Sequence, residues 1–538
     1  MNYFHQTNFN LNTNFSKANL FRIVIIGLFS VFILLTSACR DDFETVPSTG
    51  ELEFSTDTLF LDTVFSNISS STYQFKVYNR SSKDISIPTI ALGEGESSNY
   101  RLNVDGIPGK TFENIELLAK DSLFVFVEVT ADIENLANQG TQFTYEDVIA
   151  FDTGMNQQSV RLISLIQDAV FLFPQRFPDG TTETLSLGVN EEGEELFIDG
   201  FFLDDEFLHF TNEKPYVIYG FAGVPGDKTL VIDPGARIHF HENSGIIVAN
   251  NGSIHANGEM SLDPEALENE IIFQGDRLEP GFSEIPGQWA TIWLTQGSTN
   301  HIFNHTTIKN GTVGILMDSN DGTANPTLQL KNTQIYNHTN VGLLARTGFV
   351  EAENVVINNA GQAAVNLSLG GTYRFKHSTI ANYWNNSFRQ FPALLIENNL
   401  QTQDNVFVAD LEEATFSNCI IYGTERIEVL FNQVEEAAFN YKFENCLIRF
   451  NDINNQFIDD PLYNFENTAF FSENIFNELP NFLRPDENQL QIGLESAALN
   501  LGNTSTAQEV PFDILGVNRV SSPDAGAFQA VEFEEEED

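Results

Sequence analysis

Cysteine is nearly absent from this chain, with three residues in 538. One of them, Cys39, ends an apolar run near the N-terminus, which leaves only Cys419 and Cys446 beyond it. A disulfide scaffold is thereby excluded, and the fold must be held by its core. Cations are scarce as well: Lys and Arg number 26 against 75 Asp and Glu, a net charge of −49. A field of that sign repels phosphate backbones, which argues against a nucleic-acid partner. Trp and Met are few, at 3 and 4, whereas Phe numbers 48. Long amphipathic helices are missing too. Short apolar runs punctuated by Asn, Gly, Asp and Ser point instead to an all-β chain. The length exceeds what one core supports unless it repeats, so at least two domains are expected.

Acidic residues are also missing from positions 1–40, which carry Lys17 and Arg22 and then run apolar from Ile23 to Leu35. That run is shorter than the roughly 20 residues a bilayer span needs. A cleaved signal is therefore expected over residues 1–38 rather than a retained span. Ser37, Ala38 and Cys39 resemble the bacterial lipobox, although Thr36 holds the place where that pattern prefers Leu. The resemblance implies lipid attachment at Cys39 and a membrane partner reached through the acylated N-terminus, each buried methylene contributing about 0.8 kcal/mol. Arg40, Asp41 and Asp42 are similar to the short tag that sends lipoproteins of one glycan-degrading gram-negative phylum to the outer cell surface. The implied location is the outer membrane, facing outward. Residues 39–51, including "FETVPSTGE", read as a linker.

From 52 to 169 the chain alternates apolar and polar side chains. In "TYQFKVYNRS", Tyr73, Phe75 and Val77 face one way and Gln74 and Lys76 the other. Several such runs, separated by "NRSSKD", "GEGESSN", "VDGIPGK" and "FDTGMNQ", predict a β-sandwich. The strand pattern resembles immunoglobulin-like modules of bacterial surface proteins. Residues 170–228 are expected to form a connecting or capping segment.

Beyond residue 229 a repeat appears, consisting of Asn or His, two residues, and Ile. It recurs as "HTTI", "NTQI", "NVVI", "HSTI", "NCII" and "NCLI", ending at Ile308, Ile335, Ile357, Ile380, Ile421 and Ile448, at intervals of 27, 22, 23, 41 and 27 residues. Two places after the Ile stand Asn310, Asn337, Asn359, Asn382 and then Gly423. Short strands with this period predict stacked coils about 4.8 Å apart, with Ile on Ile and Asn beside Asn. Two residues before each Ile lie Thr306, Thr333, Val355, Ser378, Cys419 and Cys446. The two cysteines thus occupy equivalent places, as buried thiols or as partners in a disulfide. Residues 229–530 resemble right-handed parallel β-helix proteins of the pectin-lyase-like group. "DILGVNRVSSPDAGAFQ" is similar to their closing coil at Asp513, Gly516, Arg519, Asp524, Gly526 and Ala527, and departs at Ala525, Phe528 and Gln529. "GQWATIWL" resembles a Trp-containing strand of non-catalytic surface β-helices. The acidic end, 531–538, reads as a solvated tail.

No catalytic residue is assigned. "DSNDG", Asp318–Gly322, lacks the alternating acids of a calcium loop, and Gln329 stands where that loop places Glu, so no metal ligand is assigned and calcium is left without a site. His239 and His241 alternate around Phe240 and are expected on one outer face. Arg346, Arg374, Lys376 and Arg389 are the basic residues a lyase would draw on, without a repeat-equivalent place beside paired acids. Aromatic platforms remain, because sugar rings stack on aromatic faces. Trp289 and Trp293 are expected on one face, opposite Ile292 and Leu294, and Trp293, Tyr383 and Trp384 are the candidate glycan contacts. The expected function is polysaccharide binding or adhesion without catalysis. A polysaccharide lyase or glycosidase is the first alternative, marked by three or more carboxylates converging within about 5 to 9 Å. A structural spacer is the second.

Overall fold

The computed structural model describes residues 44–136, 140–189, 193–402 and 405–533. Cys39, the signal segment and the tag at 40–42 lie outside the described residues, as does most of the acidic tail. Among the described residues the chain is all-β, with only short helices such as Thr504–Glu509. It divides into two compact units: one built from the described parts of Met1–Leu59, Ser71–Val129 and Glu146–Leu162, the other from Phe60–Ser70, Thr130–Tyr145 and Ile163–Asp538.

Alternation builds the first unit. Phe75 and Val77 are buried, while Gln74 on the same strand, Tyr73–Tyr78, is exposed. That strand belongs to a five-stranded antiparallel sheet, which faces a second sheet of six strands. Phe54 and Phe75 of the former meet Phe151 of the latter, with ring centroids 4.9 and 6.3 Å apart. Around them Val77, Ile87, Tyr100, Val125, Val127 and Ile149 are buried.

The second unit is governed by its corners. His305, Asn332, Asn354, His377, Asn418 and Asn445, the first residues of the six repeats, all hold positive φ between 42° and 56°. Asn tolerates this left-handed conformation best among residues with a Cβ, and His is enriched there too. Each corner redirects the chain, so that the strands flanking these corners pair in parallel with strands one circuit later, within a sheet of 27 strands that also holds an antiparallel pair, Thr184–Val189 with Glu195–Phe202. The register places Ile308 on Ile335, Ile335 on Ile357, Ile357 on Ile380, Ile380 on Ile421 and Ile421 on Ile448. All six are buried. The long interval before Ile421 holds a loop at 383–393 and a hairpin of Asn399–Gln401 with Val406–Val408, inserted without shifting the column.

The Asn columns bond along the stack. Asn337 donates to Asn310 at 3.4 Å and Asn359 to Asn337 at 2.6 Å. Asn382 both accepts from Ala360 N and donates to Ala360 O. In the thiol column, Thr333, Ser378, Cys419 and Cys446 each donate to the carbonyl two residues earlier, at 2.8, 3.2, 3.4 and 3.3 Å. Both cysteines are free and buried, and burial pushes the Cys446 thiol well up. They serve as small donors at a corner, where Thr serves in earlier coils.

Two boundaries differ from expectation. Within the segment 170–228, Val170–Leu172, Gly200–Phe202 and His209–Phe210 already pair in parallel with later strands, so the parallel ladder begins before residue 229, alongside an antiparallel hairpin of Thr184–Val189 with Glu195–Phe202. At the other end the ladder stops at Ile475–Phe476, and the chain from 477 onward lies along the flank of the coils. Asn358 donates to Pro485 O and to Asn488 there, and Asn503 donates to Asn445. The closing motif locks this segment down. Arg519 is fully buried and donates to Gly526 O, Ala527 O and Asn354. Asp513 and Asp524 accept backbone N–H groups around it.

Candidate functional site

The residues singled out from sequence scatter when placed in space. Trp289 and Trp293 do not share a face: the strand begins only at Ile292, and the bend before it turns Trp289 inward. Trp289 is 1% exposed, stacks on Phe240 at 4.4 Å and donates to Lys309 O. Trp293 is half-buried, with its indole N–H on Asp318 at 2.5 Å and its ring packed against the cluster of Leu185, Phe221 and Ile247. Trp384 is 8% exposed and bonded to Ser387, which closes its face to a sugar. Tyr383 is part-buried, edge-on to Phe482 of the flanking segment at 6.0 Å. Sequence alternation could not reveal that a segment about 100 residues later packs against Tyr383.

His239 and His241 separate as well. His239 is buried against Phe65 and bonded to Gly275 O, and desolvation lowers its pKa to about 4. His241 is exposed and pairs with Asp276 at 2.8 Å. In "DSNDG", Asp318 accepts from Trp293 and Arg346, and Asp321 from Thr299 and Thr323, so both carboxylates serve the turn. Among the described residues no three His, Cys, Asp or Glu gather as ion ligands.

The basic residues do have acidic partners, which the repeat spacing did not disclose because they come from neighbouring strands and from the flanking segment. Arg374 takes Glu413 through two nitrogens, at 3.0 and 2.9 Å, and approaches Glu351 at 3.6 Å. Lys376 lies 2.7 Å from Glu509 and 3.9 Å from Glu353, which also meets Lys331 at 3.2 Å. Arg389 and Glu428 form a fully buried bidentate pair, with the remaining Glu428 capacity taken by Ala393 N and Glu425 N. Desolvation raises the Glu428 pKa, and the Arg389 bonds oppose that rise. Each of these acids is engaged by a cation.

One groove combines floor, walls and access. It has a volume of about 470 Å³ and lies between the outer edge of the Asn column and the flanking segment. Its floor is His305, Asn332 and Asn354, linked in series: Asn332 donates to His305 Nε2 at 3.2 Å, and Asn354 to Asn332 at 2.9 Å. Accepting that bond leaves the His305 proton on Nδ1, and desolvation lowers its pKa, so the ring is neutral at neutral pH. Lys331 and Glu353 form one wall in register on adjacent strands, and Glu509 stands opposite. Met260 and Phe512, 47% and 51% exposed, are apolar lips. Imidazole and amide groups below, the apolar Met260 and Phe512 beside them and internally paired charges suit a polar, uncharged ligand. Phe512 escaped the sequence reading, although its place beside Asp513 of the closing motif, after Pro511, was a visible signal.

Among the described residues no helix is long and apolar enough to cross a membrane. No family model matches the chain, and no curated protein does. Among solved structures, the ASH/PapD-like domain of human CEP192 matches at 14% identity over 24% of this chain and 93% of that one, with a TM-score of 0.14. A family 123 glycoside hydrolase from Clostridium perfringens, studied for glycolipid glycan hydrolysis, matches at 8% identity over 22% of this chain and 26% of that one, with a TM-score of 0.16. This chain spans about a quarter of that hydrolase. Overlaps so partial carry no functional argument.

Proposed function

We propose that this protein is a surface lipoprotein of the outer membrane, acylated at Cys39, whose immunoglobulin-like sandwich precedes a right-handed parallel β-helix that binds an uncharged polysaccharide. The groove of His305, Asn332, Asn354 and Phe512 is the observation that carries the reading, because it sets imidazole and amide groups beside an accessible apolar ring. The parallel register of the Ile and Asn columns supports the β-helix.

The test is retention of the purified full-length chain on neutral and acidic glycans, with and without calcium. Binding of a neutral glycan, weakened about tenfold by Phe512→Ala, is expected. Absorbance of unsaturated products would instead reveal a lyase, and absence of any retention would leave the spacer reading. Anchoring is checked separately, by loss of lipid label in Cys39→Ser.

A further inference from the structure

We propose that the outer face of the five-stranded sheet carries a second saccharide site, one that takes a carboxylate-bearing sugar. The residues stand in rows set by strand register. Gln74 and Asn103 flank Phe126 across the sheet, and Glu128 pairs across to Arg101 on the next row. Thr72 donates to the Glu128 carboxylate at 2.5 Å, completing that row. On the other side Lys76 pairs across to Phe124, with its ammonium 4.6 Å from the ring centroid. Phe124 and Phe126 lie near-parallel at 6.0 Å, and Phe124 is 40% exposed.

An aromatic ring between two amides is the arrangement a pyranose requires, with its CH face on the ring and hydroxyls on the amides. A groove of about 590 Å³ lies here, with Phe126 on its floor and Pro108, Gly109 and Lys110 among its walls. Two phenylalanines on a solvent-facing sheet surface gain nothing from the core, which takes Leu123, Val125 and Val127 from the same strand. Charge decides the class of sugar. Glu128 is neutralised by Arg101 at 3.2 Å. Lys110 spends two of its three N–H groups on Glu96 O and Ser98 O, and neither Lys110 nor Lys76 pairs with a carboxylate among the described residues. In a chain of net charge −49, this face therefore presents two unpaired ammonium groups. Screening beyond about 8 Å at physiological salt lets those local charges, and not the distant acids, govern contact.

The test is calorimetric titration of the full-length chain with an oligogalacturonate, with the same oligosaccharide methyl-esterified, and with an oligoglutamate. The acid is expected to bind, with the ester and Lys110→Gln each weaker by about tenfold. Phe126→Ala should weaken binding similarly, Phe126→Tyr should preserve it, and Phe512→Ala should leave it unchanged. Thermal melts identify any variant that fails to fold, in which case Lys110→Gln and Phe126→Tyr decide. Equal binding of acid and ester, equal binding of oligoglutamate, or sensitivity to Phe512→Ala alone would each overturn the proposal. A chain that binds the neutral glycan but not the acid overturns this site and leaves the groove beside Phe512 standing.

Discussion

At the scale of single residues, the corners carry the fold. Asn337 holds φ at 61°, donates to Asn310 and Glu284, and accepts from Asn359 and Asn488. Asn337→Gly keeps the conformation and loses the bonds, costing about 1–3 kcal/mol, and Asn337→Ala adds roughly 1–2 kcal/mol of backbone strain. Denaturant melts should rank them in that order. Four buried imidazoles set the response to acid: burial lowers His239 and His338 to about 4, His301 to about 3 and His377 to about 2. Because the unfolded chain takes up protons near pH 6.5 and the folded chain does not, stability is full above that pH. It falls as pH drops toward 4, by about 1.4 kcal/mol per unit for each ring. Calorimetric Tm should be level between pH 7 and 8 and decline below 6.5. The two thiols should resist a thiol reagent until the chain unfolds.

At the scale of elements, the closing segment behaves as a strap. Gly526 holds φ at 96°, and a Cβ there would come within 2.7 Å of Ile420 Cδ1 and 2.9 Å of Thr379 Oγ1. Gly526→Ala should therefore loosen residues 477–533, and Arg519→Met, which strands two buried carbonyls, should cost on the order of 3 kcal/mol. Limited proteolysis should then cut the strap while the coils persist. The repeat made the Ile and Asn columns legible in the sequence, because every coil solves the same packing and corner problem. The closing motif stood out in the sequence, but its place did not: expected as the last coil, it lies along the flank, outside the ladder. Its departures keep the job: Ala525 and Phe528 are buried against the coils, and Gln529 accepts from Asp524 N and donates to Ser522 O. What the sequence hid were events between elements: the bend that turns Trp289 inward, the strap against Tyr383, and the acids that neighbouring strands and the strap bring to Arg374 and Lys376.

At the scale of the whole molecule, the parallel strand stack carries a groove along its flank. The stack sets the groove, since His305, Asn332 and Asn354 line up only if successive corners superpose, and Lys331 meets Glu353 only in the observed register. The hydrophobic column supports it: Ile380→Ala should cost about 2–5 kcal/mol, because Ile357 and Ile421 above and below are held by their own strands and cannot collapse into the space. Register is the most direct thing to measure. Under mild oxidation of the native chain, Lys331→Cys with Glu353→Cys should form a disulfide, because paired Cα atoms in a parallel ladder lie within bridging range. Gln329→Cys with Glu353→Cys, displaced by two residues and beyond about 7 Å, should not. Bridging by the displaced pair, or by neither, would contradict the stacked coil and remove the floor of the groove with it.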